Sequence, residues 1–143
     1  FMNYVYPAVF YEEEGKISAI FPDLGNLATF GDNVADAMRM AQDACGLYLF
    51  TALRDGEPLP APSALSEISP AAVLEELEME SAANGAFVNM VLVDMTEYAR
   101  QHSDRAVKKT LSIPMWLNTL CEEKSINFSK VLQDALLTKV QSL

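Results

Sequence analysis

The sequence predicts an α+β fold in two parts, and three patterns predict it. Runs of aromatic and β-branched residues indicate short strands within residues 1–99. Apolar residues recur at helical spacing over residues 33–55 and in two stretches after residue 114. Acidic side chains are concentrated in the first part of the chain and basic ones in the second. The predicted order is β-β-β-α-(α)-β for residues 1–99, a hinge at residues 100–105, and strand-helix-helix for residues 106–143.

Three strands are predicted at the start of the chain. Residues 4–11 (YVYPAVFY) form the first, and Pro7 inside it indicates an edge strand or a bulge. Residues 12–15 (EEEG) make a polar turn into a second strand at residues 16–21. The Pro-Asp-Leu-Gly break that follows leads to a short third strand at residues 27–30.

A long amphipathic helix follows, with Asn33 as its predicted N-cap and Asp36 in its first turn, where an acidic side chain complements the helix dipole. The helix is expected to run to about Asp55. Its predicted buried stripe consists of Val34, Ala37, Met38, Ala41, Cys45, Tyr48, Leu49 and Ala52.

The rest of the first part is predicted to hold one short helix and one strand. Pro58, Pro60 and Pro62 indicate an extended connection after Gly56. Ser66 or Ser69 can cap a helix over residues 70–80. Residues 86–93 (AFVNMVLV) are apolar nearly throughout, which favours a central strand covered on both sides. Residues 94–98 are expected to turn away from it.

The last 38 residues predict one strand and two helices. Val107, Leu111 and Ile113 alternate with Lys108, Thr110 and Ser112, which is the pattern of a half-buried strand. Pro114 ends that strand and suits the first position of a helix. The first helix carries an apolar stripe of Trp116, Leu117, Leu120 and Cys121. The second, capped by Asn127, carries Phe128, Val131, Leu132, Ala135, Leu136 and Val140.

This segment cannot bury its apolar residues alone, and its strand has no partner within it. A second copy solves both problems, because two strands then pair antiparallel above four helices. The arrangement resembles a ribbon-helix-helix DNA-binding domain, in which a two-stranded ribbon enters the major groove. The candidate DNA-binding residues are Lys108, Lys109, Thr110, Ser112, Asn127, Ser129 and Lys130. The alternative is a strand that serves dimerisation only, with Lys108 and Lys109 solvated.

Composition limits the function classes. The chain has 143 residues, of which 50% are apolar, and a net charge of −10. Residues 1–99 hold three basic and sixteen acidic side chains, a net charge of −13, whereas residues 100–143 hold seven basic and four acidic, a net charge of +3. This asymmetry predicts different partners for the two parts.

Cysteine and histidine content argues against a metal site. The chain has two cysteines, Cys45 and Cys121, within apolar helical stripes, and a single histidine, His102. No zinc site can be assembled from them in one chain, so both thiols are expected in cores and no cofactor is expected. Without a signal peptide or a long apolar run, a cytoplasmic protein that does not enter the membrane is expected.

Residues 21–49 (FPDLGNLATFGDNVADAMRMAQDACGLYL) resemble the HicB antitoxin family. The matching residues are Phe21, Pro22, Asp23, Leu24, Gly25, Thr29, Gly31 and Asp32. The family has a proline before the glycine of its turn, whereas here Leu24 is followed directly by Gly25. Its aromatic first strand and apolar late strand find counterparts in residues 4–11 and 87–93.

The resemblance implies a truncated ribonuclease H-like first domain and a non-enzymatic antitoxin that binds a HicA-like toxin and represses its own operon. An acidic domain complements a basic RNA-cleaving partner. The candidate toxin-binding residues are Glu12, Glu13, Glu14, Asp23 and Asp32. The expected partners are this toxin, operator DNA and a second copy joined through residues 106–143, with higher oligomers left open.

Two alternatives remain open at this stage. One is a ribonuclease H-like nuclease with a dimerisation tail. It would need carboxylates that converge on metal ions, and the first strand holds none where such a site requires one. The other is a stand-alone ribbon-helix-helix regulator.

Overall fold

A computed structural model describes residues 3–103 and 105–143. These residues form two compact units, one ending at Ser103 and the other comprising residues 105–143. The first unit is mixed α+β and contains a buried core. The second is helical.

The first unit is built on a four-stranded antiparallel sheet in the order β3-β2-β1-β4. Its strands are β1 (Asn3–Glu13), β2 (Lys16–Phe21), β3 (Leu27–Gly31) and β4 (Phe87–Asp94). β1 and β2 form a hairpin in which Glu13 pairs with Lys16 across a two-residue turn. Glu14 and Gly15 in that turn have φ of 51° and 78°, as a type I′ hairpin turn requires. All four predicted strands are therefore present, with β1 longer than expected.

The position of β1 corrects the expectation drawn from Pro7. β1 is an interior strand, not an edge strand, because it pairs with both β2 and β4. Its pairing with β2 covers only residues 9–13, whereas Pro7 pairs with Met90 of β4. Pro7 therefore lies where β1 has one neighbour, so its missing N–H leaves no ladder position empty.

β4 was expected to be central and covered on both sides, and this expectation is wrong. β4 is an edge strand, paired only with β1. Val91 and Val93 are buried, while Leu92 between them is 49% exposed. Although the run is apolar nearly throughout, the strand has one buried face and one partly exposed face.

The long helix α1 (Val34–Arg54) lies on one face of the sheet and confirms the predicted stripe in most positions. The Asn33 side chain accepts a hydrogen bond from the backbone N–H of Asp36 at 2.8 Å, which confirms the predicted cap. Val34 is the exception, since it is exposed at the start of the helix. The core beneath α1 includes Tyr6, Phe10, Phe21, Ala37, Ala41, Cys45 and Leu49.

A smaller core lies on the opposite face of the sheet. The short helix α2 (Pro70–Glu76) begins at the Ser69 cap and places Leu74 against Tyr11 and Ile20. α2 ends earlier than the expected residue 80, and residues 80–82 form a separate 3-10 turn. The proline-rich connection before α2 is held to the sheet, because the Tyr6 hydroxyl donates to the carbonyl oxygen of Pro60 at 2.6 Å.

Helix α3 (Met95–His102) replaces the expected turn after β4. Asp94 caps it by accepting from the N–H of Glu97 at 3.1 Å. Met95 is fully buried, and the Tyr98 ring packs over Gly46 of α1, where an added Cβ would lie 2.5 Å from a ring carbon. Residues 100–102 of the expected hinge at residues 100–105 are thus helical. Asp104 of this hinge lies outside the described residues.

The second unit consists of residues 105–114, without regular secondary structure, followed by α4 (Met115–Glu123) and α5 (Phe128–Gln141). Both predicted helices are confirmed, as is the Asn127 cap, which accepts from the N–H of Lys130 at 3.1 Å. Pro114 stands at the N-cap of α4, one position before the expected one. The predicted strand over residues 107–113 is not formed, and residues 105–143 contain no other strand with which it could pair.

Candidate functional site

Most of the predicted toxin-binding carboxylates meet at one end of the sheet. The pairing of Glu13 with Lys16, and of Ile17 with Gly31, brings the β1–β2 turn and the end of β3 together. Glu12, Glu13, Glu14 and Asp32 are all exposed there. This end of the sheet is therefore an acidic surface open to a partner.

Asp32 at this end is paired with Lys16, whose Nζ lies 2.6 Å from Asp32 Oδ1. The hydrogen bond and the opposite charge lower the pKa of Asp32 and raise the pKa of Lys16. The same ammonium group lies 5.5 Å from the centre of the Phe30 ring, within cation–π range. Both charges are solvent-exposed, so the pair fixes local geometry more than it stabilises the fold.

Asp23 lies at the opposite end of β2, away from the other candidates. Its two carboxylate oxygens accept hydrogen bonds from the backbone N–H and the hydroxyl of Ser63, both at 2.7 Å. These bonds tie the turn after β2 to the proline-rich connection. These bonds give Asp23 a structural role within the first unit. Its predicted contact with the toxin stays a prediction.

The Gly31-Asp32-Asn33 sequence sets the approach of α1 to the sheet. A Cβ on Gly31 would lie 2.4 Å from the backbone nitrogen of Ala37, so only glycine allows this contact. Asp36 accepts from the backbone N–H of Asp32 at 3.0 Å, while Asn33 caps the helix. The motif therefore joins β3 directly to α1.

Sequence reasoning named charged residues and missed the exposed apolar ones beside them. Phe30 on β3 is 57% exposed and Leu47 on α1 is 59% exposed. Leu47 lies in a groove of about 360 Å³ that is also lined by Leu27, Ala44, Tyr48 and Thr51. A signal for Leu47 was present in the sequence, because this apolar residue lies outside the predicted buried stripe of the helix.

In the second unit, every predicted DNA-binding residue is exposed. Lys109 lines a groove with Leu111, Ile113, Phe128 and Leu132, whereas Lys108, Thr110 and Ser112 do not line it. The alternation of the sequence therefore persists as two sides of this segment. Ser129 also lines the groove, and Asn127 is engaged as the cap of α5.

The second unit buries none of its own side chains. Among residues 105–143 no residue is buried, and the large apolar side chains of both helices are exposed or half-exposed. Trp116 is 65% exposed and Leu111 is 64% exposed. An apolar surface this extensive is typical of an interface that a partner covers.

The two thiols differ from each other. Burial raises the pKa of Cys45 to about 12, which makes this thiol inert. Cys121 is half-buried in the single chain and therefore does not lie in a core there, contrary to the expectation.

Among residues 3–103 and 105–143, no three His, Cys, Asp or Glu side chains are grouped to hold a metal ion. Within the same ranges, no helix has the length and apolar character needed to cross a membrane.

A protein-family comparison matches residues 6–135, nearly the whole chain. The family is described as the HicB-like antitoxin of bacterial toxin–antitoxin systems. A search of curated proteins finds no match.

Solved structures give a likeness over the same extent. A chain of a toxin–antitoxin complex from Streptococcus pneumoniae is 29% identical, with a TM-score of 0.62, and the match covers 96% of this chain and 99% of that one. The antitoxin HicB of Burkholderia pseudomallei is 19% identical with a TM-score of 0.47, covering 99% of this chain and 98% of that one. The antitoxin HicB3 is 21% identical with a TM-score of 0.46, covering 84% and 81%.

Proposed function

The chain belongs to the HicB-like antitoxin family of bacterial toxin–antitoxin systems, and on this premise we propose that it neutralises a HicA-like, RNA-cleaving toxin by binding it directly. We propose further that it represses its own operon by binding operator DNA. The observation that carries the proposal is the family match over residues 6–135. The 29% identity to a chain of a toxin–antitoxin complex, over 96% of the present chain, supports it.

The first unit is proposed to bind the toxin. Residues 1–99 carry a net charge of −13, and four of their exposed carboxylates lie at one end of the sheet. An RNA-cleaving protein needs a basic surface for its substrate, and an acidic domain is the electrostatic complement of that surface. Glu12, Glu13, Glu14 and Asp32 would steer the toxin toward this end of the sheet.

The second unit is proposed to form a ribbon-helix-helix homodimer. The lack of any buried side chain in residues 105–143 supports a second copy, because pairing two segments at residues 107–113 would cover Leu111, Ile113 and both apolar helix stripes. The pairing would also satisfy the backbone groups that a lone strand leaves open.

DNA binding follows from this dimer. Lys108, Thr110 and Ser112, on the side away from the apolar groove, would face base edges from the ribbon. Lys109 and Lys130 would contact phosphates. The N–H groups that open α5 after Asn127 would hold a phosphate near Ser129.

The proposed inhibition requires no chemistry from this chain. Binding alone would keep RNA from the toxin, and the alternative of a ribonuclease H-like nuclease gains no support from the described carboxylates, which form no metal-holding group in residues 3–103 and 105–143. We propose a binding protein rather than an enzyme because residues 6–135 match a family of antitoxins.

Co-expression tests the proposal directly. The chain is produced together with the small basic protein encoded next to it, and the two are separated by size-exclusion chromatography. Co-elution, with growth restored to cells that the basic protein alone arrests, is the expected result. Separate elution without restored growth would contradict the antitoxin function.

A further inference from the structure

The sheet of the first unit has two free edges, β3 and β4, which differ in whether side chains bond to their outward backbone groups. The two-residue turn makes Glu13 and Lys16 a hydrogen-bonded pair. Hydrogen-bonded and non-hydrogen-bonded pairs then alternate along each antiparallel ladder, which fixes the direction of every backbone N–H and C=O group in the sheet. By this alternation the N–H and C=O groups of Ala28 and Phe30 point away from β2 at the β3 edge. Those of Val88, Met90 and Leu92 point away from β1 at the β4 edge.

The β4 edge is partly closed by side chains. Gln42 of α1 donates to the carbonyl oxygen of Leu92 at 2.9 Å. The side-chain oxygen of Asn89 accepts from the N–H of Met90 at 3.0 Å. Such side-chain caps compete with an incoming strand, so this edge resists pairing.

The β3 edge carries no such caps. Among the residues that the structure describes, no hydrogen bond beyond the β2 ladder reaches the backbone of Ala28 or Phe30. Beside this edge lies the groove lined by Leu27, Ala44, Leu47, Tyr48 and Thr51, here called the β3–α1 groove. An exposed edge next to an apolar groove is the arrangement that accepts an added peptide strand.

Acidic residues near the β3–α1 groove favour an incoming strand that is basic. Glu57 lines the groove, and Asp32 and Asp36 lie where β3 ends and α1 begins. Glu57 forms no salt bridge within residues 3–103. A second copy of the same edge would set these acids against each other, whereas a basic partner would be attracted.

We propose that the toxin binds by adding an extended, basic segment to the β3 edge, with an apolar side chain seated in the β3–α1 groove. The inference rests on the proposed function and names its surface. Side chains of the added strand alternate between the two faces of the sheet. Those on the α1 face meet Leu27 and Leu47, and those on the opposite face meet Phe30.

Matched leucine substitutions test the site in the full-length chain. Leu47 and Leu92 are both exposed leucines of the first unit, one beside each free edge. The probe is the purified small basic protein encoded next to this chain, titrated by calorimetry. L47K is expected to weaken binding about tenfold or more, as for a central apolar contact, while L92K leaves the affinity unchanged within about twofold.

A proline substitution tests the backbone pairing separately. A28P removes an N–H that points away from β2, so the sheet keeps its ladder while the added strand loses a partner. A28S keeps the N–H and serves as control. Weaker toxin binding by A28P than by A28S is expected, with circular dichroism confirming that both variants are folded.

Three results would overturn the inference. L92K could weaken binding while L47K does not, which would place the toxin at the β4 edge. L47K could change the mass of the antitoxin assembly without toxin, which would make a second copy the occupant of the groove. If the wild-type chain binds the toxin and L47K and A28P bind it equally well, the docking site is wrong although the function stands. Failure of the wild-type chain to bind would overturn the function, and the docking site with it.

Discussion

At the residue scale, the ion pair of Lys16 and Asp32 links the β1–β2 hairpin to the start of α1. Lys16 lowers the pKa of Asp32 below its ordinary value. The pair stabilises the folded chain only while Asp32 is ionised. Its contribution is therefore present above the ordinary pKa of the carboxyl group and is lost as the pH falls through the lowered value.

K16Q should raise the pKa of Asp32 to its ordinary value, because the hydrogen bond and the opposite charge are both removed. The measurement is a carbon-detected NMR titration of the Asp32 carboxyl group in the wild-type and K16Q chains. R54Q is the control, since Arg54 pairs with Asp55 and not with Asp32. An unchanged Asp32 titration in K16Q would refute the assigned pair.

Local sequence predicted the residues whose partners lie nearby, and missed those whose partners are distant. Asn33 and Asn127 cap helices through bonds to residues three positions on, so spacing alone indicated them. Asp23 is engaged by Ser63, forty positions away, and no local pattern reveals that pairing. Its carboxylate was predicted to face a partner for this reason.

At the element scale, the segment of residues 107–113 separates the proposed dimer from the proposed DNA contact. L111D should dissociate the dimer and abolish operator binding, because a carboxylate would be buried between the two copies. Replacing Lys108 and Thr110 together with alanine should keep the dimer and weaken operator binding about tenfold or more, since base contacts are lost.

Sedimentation equilibrium and gel-shift titration measure the two effects independently. A dimeric L111D chain would contradict the interface, and unchanged operator affinity of the double alanine variant would contradict the ribbon assignment. L47K is a useful reference in both assays, since Leu47 belongs to the first unit and should alter neither result.

Helices and strands were predictable where apolar residues recur at regular spacing. They were not predictable where their type or burial depends on contacts with distant parts of the chain. α1, α4 and α5 followed from their stripes and caps. The sequence predicts a turn in place of α3 although Asp94 and Glu97 carry its capping signal, because the helix is only eight residues long. The sequence predicts a central strand in place of the edge strand β4, because the apolar residues on its partly open face cannot be told from buried ones by sequence.

At the scale of the whole molecule, the opposite charges of the two parts correspond to two proposed partners. The acidic first part repels nucleic acid and attracts a basic protein, while the second part adds positive charge where DNA would lie. The charge asymmetry needs only the count of charges along the chain, and the assignment of one partner to each part stays a prediction. Composition could not predict the groove beside β3, which exists only once α1 is packed on the sheet.

The most direct measurement of the central claim is a titration of toxin activity. RNA cleavage by the purified small basic protein encoded next to this chain is followed while the full-length chain is added. The proposed function predicts that cleavage falls to zero at a fixed molar ratio, and that the chain alone cleaves no RNA. Undiminished cleavage at molar excess, or metal-dependent cleavage by the chain itself, would contradict it.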